Sequence, residues 1–238
     1  MKKVLLAGAA VAALTLGALP ATAADLSNRP VYKAPVQVPV VYNWTGFYVG
    51  VSGGGGWGSS EHTFPGGTHG PFDTSGGLVG GTVGYNWQAG NLVLGLEGDY
   101  SWADIKGTTA GFPTPCIGGL CGTDLRSLGT ARGRVGYAWD NVLLYGTGGF
   151  AWGNVHAFET GFDAGSTTAT GWTVGGGLEY GFAPNWSAKV EYLHVDLGSD
   201  VLYGTGFGVP HTVDTSADIV RAGINYRFNW GAPIVAKY

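Results

Sequence analysis

Charge is what this sequence has least of. Only 12% of its 238 residues are Asp, Glu, Lys or Arg, about half the share of a soluble domain, so ionic surface is too scarce to clothe an ordinary protein in water. Cysteine stops at two, which excludes a disulfide-dense scaffold. Positive charge is in deficit, with twelve Lys and Arg against sixteen Asp and Glu, and a nucleic-acid partner would need the opposite. Apolar runs long enough for a transmembrane helix are missing from the body of the chain. No nucleophile stands beside a base and no metal-ligand spacing occurs, so neither an enzyme nor a cofactor is expected. Two things are abundant. There are 45 glycines where average usage is about 7%, without the three-residue period of collagen. Aromatic residues reach 13%, against the composition of a disordered chain.

The first residues read as an export signal. Lys2 and Lys3 precede an apolar run from Val4 to Leu19, Pro20 breaks it, and Ala21-Thr22-Ala23 supplies a small-residue cleavage motif. Residues 1–23 are therefore expected to be a cleaved signal peptide. Residues 24–44, with Pro30, Pro35 and Pro39, read as an extended periplasmic tether.

From Thr45 the chain alternates apolar and polar residues with period two. The clearest segment runs from Leu92 to Trp102, where Leu92, Leu94, Leu96, Tyr100 and Trp102 alternate with Val93, Gly95, Glu97, Asp99 and Ser101. Similar segments span 45–58, 76–87, 125–139, 142–153, 170–182, 186–195 and 218–228, which makes eight strands. The links between them alternate short and long: 88–91, 140–141 and 183–185 on one side, and 59–75, 103–124, 154–169 and 196–217 on the other. Short turns at one end and long loops at the other are the habit of outer-membrane barrels. The fold class expected is an all-β, eight-stranded antiparallel up-and-down transmembrane barrel over residues 45–228.

One face of these strands is aliphatic and aromatic, with Trp87, Trp102, Trp139, Trp152, Trp172 and Trp186 at strand ends, as in the girdles that meet lipid headgroups. The other face carries Glu97, Asp99, Arg132, Arg134, Glu179, Lys189, Glu191, Arg221 and Arg227. Inside a barrel just wide enough for side chains, these nine are expected to form a paired network filling the lumen, since buried charge survives only when paired. A catalytic carboxylate pair is the weaker reading of the same acids.

Other features receive plain readings. Gly53 to Gly58 matches a dinucleotide-binding pattern but opens no helix, so it marks close contacts within a strand. Cys116 and Cys121 are expected to form a small-loop disulfide in an oxidising compartment. His62, His69, His156 and His211 fall in expected surface loops with His194 nearby, and read as solvated side chains. The Asn43 and Asn185 sequons are not glycosylation sites on a bacterial barrel.

Three stretches carry a family resemblance: the Pro-rich lead into Tyr42-Asn43-Trp44-Thr45-Gly46-Phe47-Tyr48-Val49-Gly50, the segment Arg132-Gly133-Arg134-Val135-Gly136-Tyr137, and the final Val220 to Phe228. The chain resembles the small outer-membrane immunogenic-protein and porin family of alphaproteobacteria, among the OmpA-like eight-stranded barrels. The resemblance implies an integral protein of a Gram-negative outer membrane. It would contact outer-membrane lipid and lipopolysaccharide and be inserted by the barrel-assembly machinery through a terminal-strand signal, here Val220, Ile224, Tyr226 and Phe228. Residues 229–238 would then form a periplasmic tail. A structural and surface-antigen role with a plugged lumen is the function expected. The alternatives are a narrow passive porin and a receptor or adhesin whose loops bind an unidentified surface ligand.

Overall fold

The computed structural model describes residues 42–64, 67–110, 120–159, 162–203 and 210–228. Eight strands, β1 (Gly46–Phe64), β2 (Gly67–Ala89), β3 (Leu92–Ala110), β4 (Leu120–Trp139), β5 (Val142–Glu159), β6 (Phe162–Ala183), β7 (Trp186–Tyr203) and β8 (Pro210–Phe228), pair with their chain neighbours. All pairs are antiparallel, and β8 returns to β1 to close the barrel. Closure pairs the backbone groups of every strand, which is the β solution that hydrocarbon tolerates.

The lipid-facing set is the one the alternation indicated. Val51, Val79, Val83, Leu96, Val135, Leu178, Val190 and Ile224 stand exposed on the outer wall. Trp87, Trp139, Trp186 and Phe182 mark one end of this band, and Trp57, Trp102 and Trp172 the other. Trp152, expected in the girdle, is half-buried. It lies across Gly129 on β4, where any side chain would collide with the indole.

Three two-residue turns close one end of the barrel, at Gly90-Asn91, Asp140-Asn141 and Pro184-Asn185. Gly90 and Asp140 take positive φ, the conformation that Gly and Asp tolerate best in tight hairpins. The asparagine in each turn then bridges to the next strand in the same way. Asn91 accepts from the Ala138 amide and donates its own side-chain amide to the Ala138 carbonyl; Asn141 does so at Gly181 and Asn185 at Arg227.

At the other end the strands run further than the sequence suggested. They reach 18 to 23 residues, where about 9–11 cross a bilayer. The segments expected as long loops are largely strand extensions: 59–75 belongs mostly to β1 and β2, 103–124 to β3 and β4, 154–169 to β5 and β6, and 196–217 to β7 and β8. Their Gly, Ser, Thr and Asp content mimics loop composition. Pairing propagated from the barrel, with hydroxyl contacts such as Ser60 to Thr123 inside, keeps them extended.

The barrel does not stay closed along these extensions. The β2–β3 register ends at Ser75 and Lys106, and the β6–β7 register ends at Trp172 and Asp196. The others continue outward, β1–β2 to Phe64 and Gly67, β3–β4 to Ala110 and Leu120, β5–β6 to Glu159 and Phe162, and β7–β8 to Tyr203 and Pro210. Among the described residues the outer end therefore divides into two four-stranded sheets, β7-β8-β1-β2 and β3-β4-β5-β6.

Candidate functional site

The lumen is filled in three layers. The innermost is charged. Arg132 on β4 reaches three carboxylates: Glu97, Asp99 at 2.9 Å and Glu191 at 3.2 Å. Arg221 on β8 grips Asp99 with two parallel hydrogen bonds of 2.9 and 3.0 Å and donates Nε to Glu191 at 2.8 Å. Such forked guanidinium–carboxylate pairing is the strongest geometry these groups have. Arg134 contacts Glu179 at 2.8 Å, and Lys189 contacts Glu97 at 3.1 Å. These eight side chains are almost wholly inaccessible, and they balance, four acids against four bases. Register explains the meeting: Glu97 lies directly opposite Arg132, Glu179 opposite Lys189, and Glu191 opposite Arg221.

Two tyrosines that charge reasoning passed over complete this layer. Tyr48 donates to Glu97 at 2.7 Å and accepts from Arg134 at 3.1 Å. Tyr145 donates to Glu191 at 3.0 Å, and the Arg134 guanidinium stacks 3.9 Å from its ring centre. Both sit at inward positions by simple parity, Tyr48 four residues from Ser52 and Tyr145 two from Thr147. Gly84 faces Tyr48 so closely that a Cβ would stand 2.4 Å from the ring. The small residue makes room for the large one across the strand pair.

Arg227, the ninth expected member, sits in a layer at the short-turn end of the barrel. Its guanidinium lies 4.4 Å from the Tyr42 ring centre and donates to the Pro184 carbonyl at 2.7 Å. Tyr42 and Trp44, from the end of the expected tether, are buried in the barrel mouth with Val93, Ala138, Leu143 and Tyr145. Each of the three short-turn regions holds this segment. The Trp44 amide donates to the Gln88 side chain at 2.7 Å, its indole donates to the Asp140 carbonyl at 3.4 Å, and the Tyr42 hydroxyl donates to the Trp186 carbonyl at 3.3 Å. Gly181 makes space for the Tyr42 ring, 2.4 Å from where its Cβ would be.

The outer layer is apolar. Leu78, Ile105, Leu125, Leu128, Val155, Leu193, Val195, Leu197 and Ile219 pack into one cluster inside the barrel, all nearly inaccessible. The inward face thus changes from ionic to hydrophobic along its length. Alternation alone did not reveal this, because from Val190 to Leu197 both faces of β7 carry apolar residues.

The remaining acids are unevenly placed. Of the sixteen, four are in the lumen network, Asp25 precedes the described residues, Asp140 sits in a tight turn, and the other ten stand on the outward halves of the strands, where the described strands carry only Lys106 and Arg126 as counterweight. One outer-wall cluster links Asp218 to Tyr192 at 2.6 Å and to His194 at 2.8 Å, beside the Trp172 ring. His62, His69, His156 and His211 all lie on strands rather than in loops. Among the described residues no group of three or more His, Cys, Asp or Glu is arranged to hold a metal ion. Cys116 lies outside the described residues, and Cys121 is described only as part of β4. Val220, Ile224, Tyr226 and Phe228 occupy the lipid-facing side of β8, and residues 229–238 lie outside the described residues.

Comparison with known proteins agrees with this architecture. The sequence matches the family described as outer membrane protein beta-barrel domain over residues 9–228. It is 37% identical to a 31 kDa outer-membrane immunogenic protein of Brucella melitensis, covering 96% of this chain and 100% of that one. It is 32% identical to a 25 kDa outer-membrane immunogenic protein of Brucella abortus over 87% and 91% of the two chains. A 22 kDa outer membrane protein of Rhizobium leguminosarum is 35% identical over 70% of each. Among solved structures, Neisserial surface protein A shares 18% identity over 77% of this chain and 98% of its own, with a TM-score of 0.42. The fold is that of an integral outer-membrane β-barrel, and the chain belongs to the outer membrane protein beta-barrel family, with the small immunogenic outer-membrane proteins of alphaproteobacteria as its relatives.

Proposed function

We propose that this protein is a non-conducting, non-catalytic barrel that contributes to envelope integrity and presents a rigid surface antigen. The observation that carries the reading is the charge-balanced layer of eight buried, mutually paired side chains across the lumen. A water path along the axis would have to pass this layer, the aromatic layer below it and the apolar layer above it. Opening it means separating charges in a low-dielectric interior, where removing one partner from its pair costs several kcal/mol. The extended outer strands support the antigen half of the reading, since a scaffold of paired strands presents a fixed shape. The immunogenic relatives point the same way.

The role is tested in cells and in vesicles. A deletion strain is expected to become more sensitive to detergents and bile salts, with rescue by the intact gene, and antibodies against the outer strands should label unbroken cells. Vesicles loaded with the purified barrel should swell in small sugars no faster than empty vesicles. Swelling at porin rates, or a deletion strain with an unaltered envelope, would refute the reading.

A further inference from the structure

The outer wall formed by β6, β7, β8 and β1 carries two features that barrel packing does not call for. The first is a groove of about 690 Å³ between the aromatic ends of the apolar band. Its floor is Gly53, Ala188 and Ala222, and its sides are Leu178 and Tyr180 on β6 and Val79 on β2. Strand packing does not demand glycine here. A Cβ added at Gly53, or at Gly55 one outward position further along, would meet only a backbone oxygen 3.6 Å away, whereas at inward-facing Gly54 it would stand 2.1 Å from the Val220 carbonyl. Glycine inside a strand weakens it, and one use that offsets the cost is close approach of another molecule.

The second feature is the Asp218 cluster, four residues beyond Ala222 toward the outer end of β8. Tyr192 and His194 both bond to one oxygen of Asp218, Oδ1, and the other oxygen takes no partner among the described residues. Trp57 stands directly opposite Asp218 on β1, the Trp172 ring lies 5.5 Å from His194, and Asp196, opposite Trp172, adds a second carboxylate. Both indoles and the Tyr192 ring are exposed. This wall holds no lysine or arginine: Lys106 and Arg126 are on β3 and β4, and Lys189, Arg221 and Arg227 turn into the lumen. An ionisable side chain that faces lipid calls for a partner. A carboxylate ringed by indole and phenol suits an ammonium ion, which is drawn by the charge and by the ring faces, while a headgroup of net negative charge is repelled.

We propose that this wall holds one outer-leaflet lipid with an ammonium-bearing headgroup, its ammonium at Asp218 and one acyl chain lying along Gly55 and Gly53. The spacing fits such a molecule. Four residues of a tilted strand span about 10 Å of membrane depth, within the roughly 15 Å of hydrocarbon in one leaflet. The groove supplies contact to the chain, and the Asp218 cluster selects the headgroup.

The test uses full-length protein in nanodiscs of equal parts phosphatidylethanolamine and phosphatidylglycerol with identical chains, two lipids that share a phosphate and differ in the group beyond it. Native mass spectrometry of barrels released from the discs counts the lipid each one retains. Wild type is expected to retain one phosphatidylethanolamine about fivefold more often than one phosphatidylglycerol. Asp218→Asn should bring that ratio below about twofold, Ala222→Phe should cut retention of both lipids severalfold, and Asp104→Asn, on β3, should change neither; each variant is checked for the heat-modifiable gel shift of the folded barrel. Equal retention of the two lipids would overturn the proposal. So would an Asp218→Asn variant with the wild-type ratio, an Ala222→Phe variant that retains lipid as wild type does, or an Asp104→Asn variant that also loses the preference. Barrels released as lipid-free pairs would assign the groove to a second copy and overturn it as well.

Discussion

Replacing Arg132 with Met removes a cation that touches three buried carboxylates, Glu97, Asp99 and Glu191. At about 3 Å and an effective dielectric of about 20, each contact is worth roughly 5 kcal/mol in gross attraction. Most of that only offsets the cost of taking the ions out of water, and Arg221 and Lys189 still face the same acids. The net loss expected is that of breaking a buried pair, about 3–5 kcal/mol. The network then carries one uncompensated negative charge. Adding Glu97→Gln restores the balance and keeps an oxygen that can accept from Lys189 and the Tyr48 hydroxyl, so the double variant should recover at least half of the loss. Equilibrium urea unfolding in phospholipid vesicles, followed by tryptophan fluorescence, measures both. A single variant within about 1 kcal/mol of wild type, or a double variant less stable than Arg132→Met alone, would show that charge balance does not govern this layer.

Trp44→Ala should cost about 3–5 kcal/mol in the same unfolding assay, as for a large aromatic lost from a packed core; a cost below about 1 kcal/mol would mean the segment merely rests in the mouth. Leu193→Asp should prevent folding to the heat-modifiable form, because it places an unpaired carboxylate among Leu128, Val155 and Ile219, whereas Tyr192→Asn on the opposite face should fold. Truncation after Phe228 should leave assembly in the outer membrane intact, and Phe228→Ala in the full chain should slow it; the reverse pattern would place the assembly signal in residues 229–238. Intact-mass measurement of the exported protein should show Cys116 and Cys121 two hydrogens lighter before reduction than after.

The parts of this fold legible in sequence are those where one physical constraint acts on one face. Leu92 to Trp102 sits between lipid and charge, so its alternation is clean, and Glu97, Asp99, Arg132 and Arg221 stand out because ions inside a membrane barrel need partners. Parity with Thr147 places Tyr145 on the polar face in sequence, and parity with Ser52 does the same for Tyr48, but an aromatic ring suits either face and neither stands out with the charges. Leu193, Val195 and Leu197 were hidden because their neighbours Val190 and Tyr192 are apolar too. The outer strand extensions were read as loops from their Gly, Ser, Thr and Asp content. In an isolated peptide that composition would not hold a strand, and here a closed barrel beneath supplies the register. Tyr42 and Trp44 looked like the end of a tether because local sequence does not report that three turns, at Gln88, Asp140 and Trp186, converge on them.

The central claim is that paired charges close the lumen, and single-channel recording of the refolded protein in planar bilayers tests it most directly. Wild-type barrels, verified as folded by their gel shift, should give no steady openings, and Arg132→Ala or Glu97→Ala should produce brief or small currents at most. Steady wild-type openings whose size or ion preference changes in those two variants would place Arg132 and Glu97 along a conducting path and contradict the account.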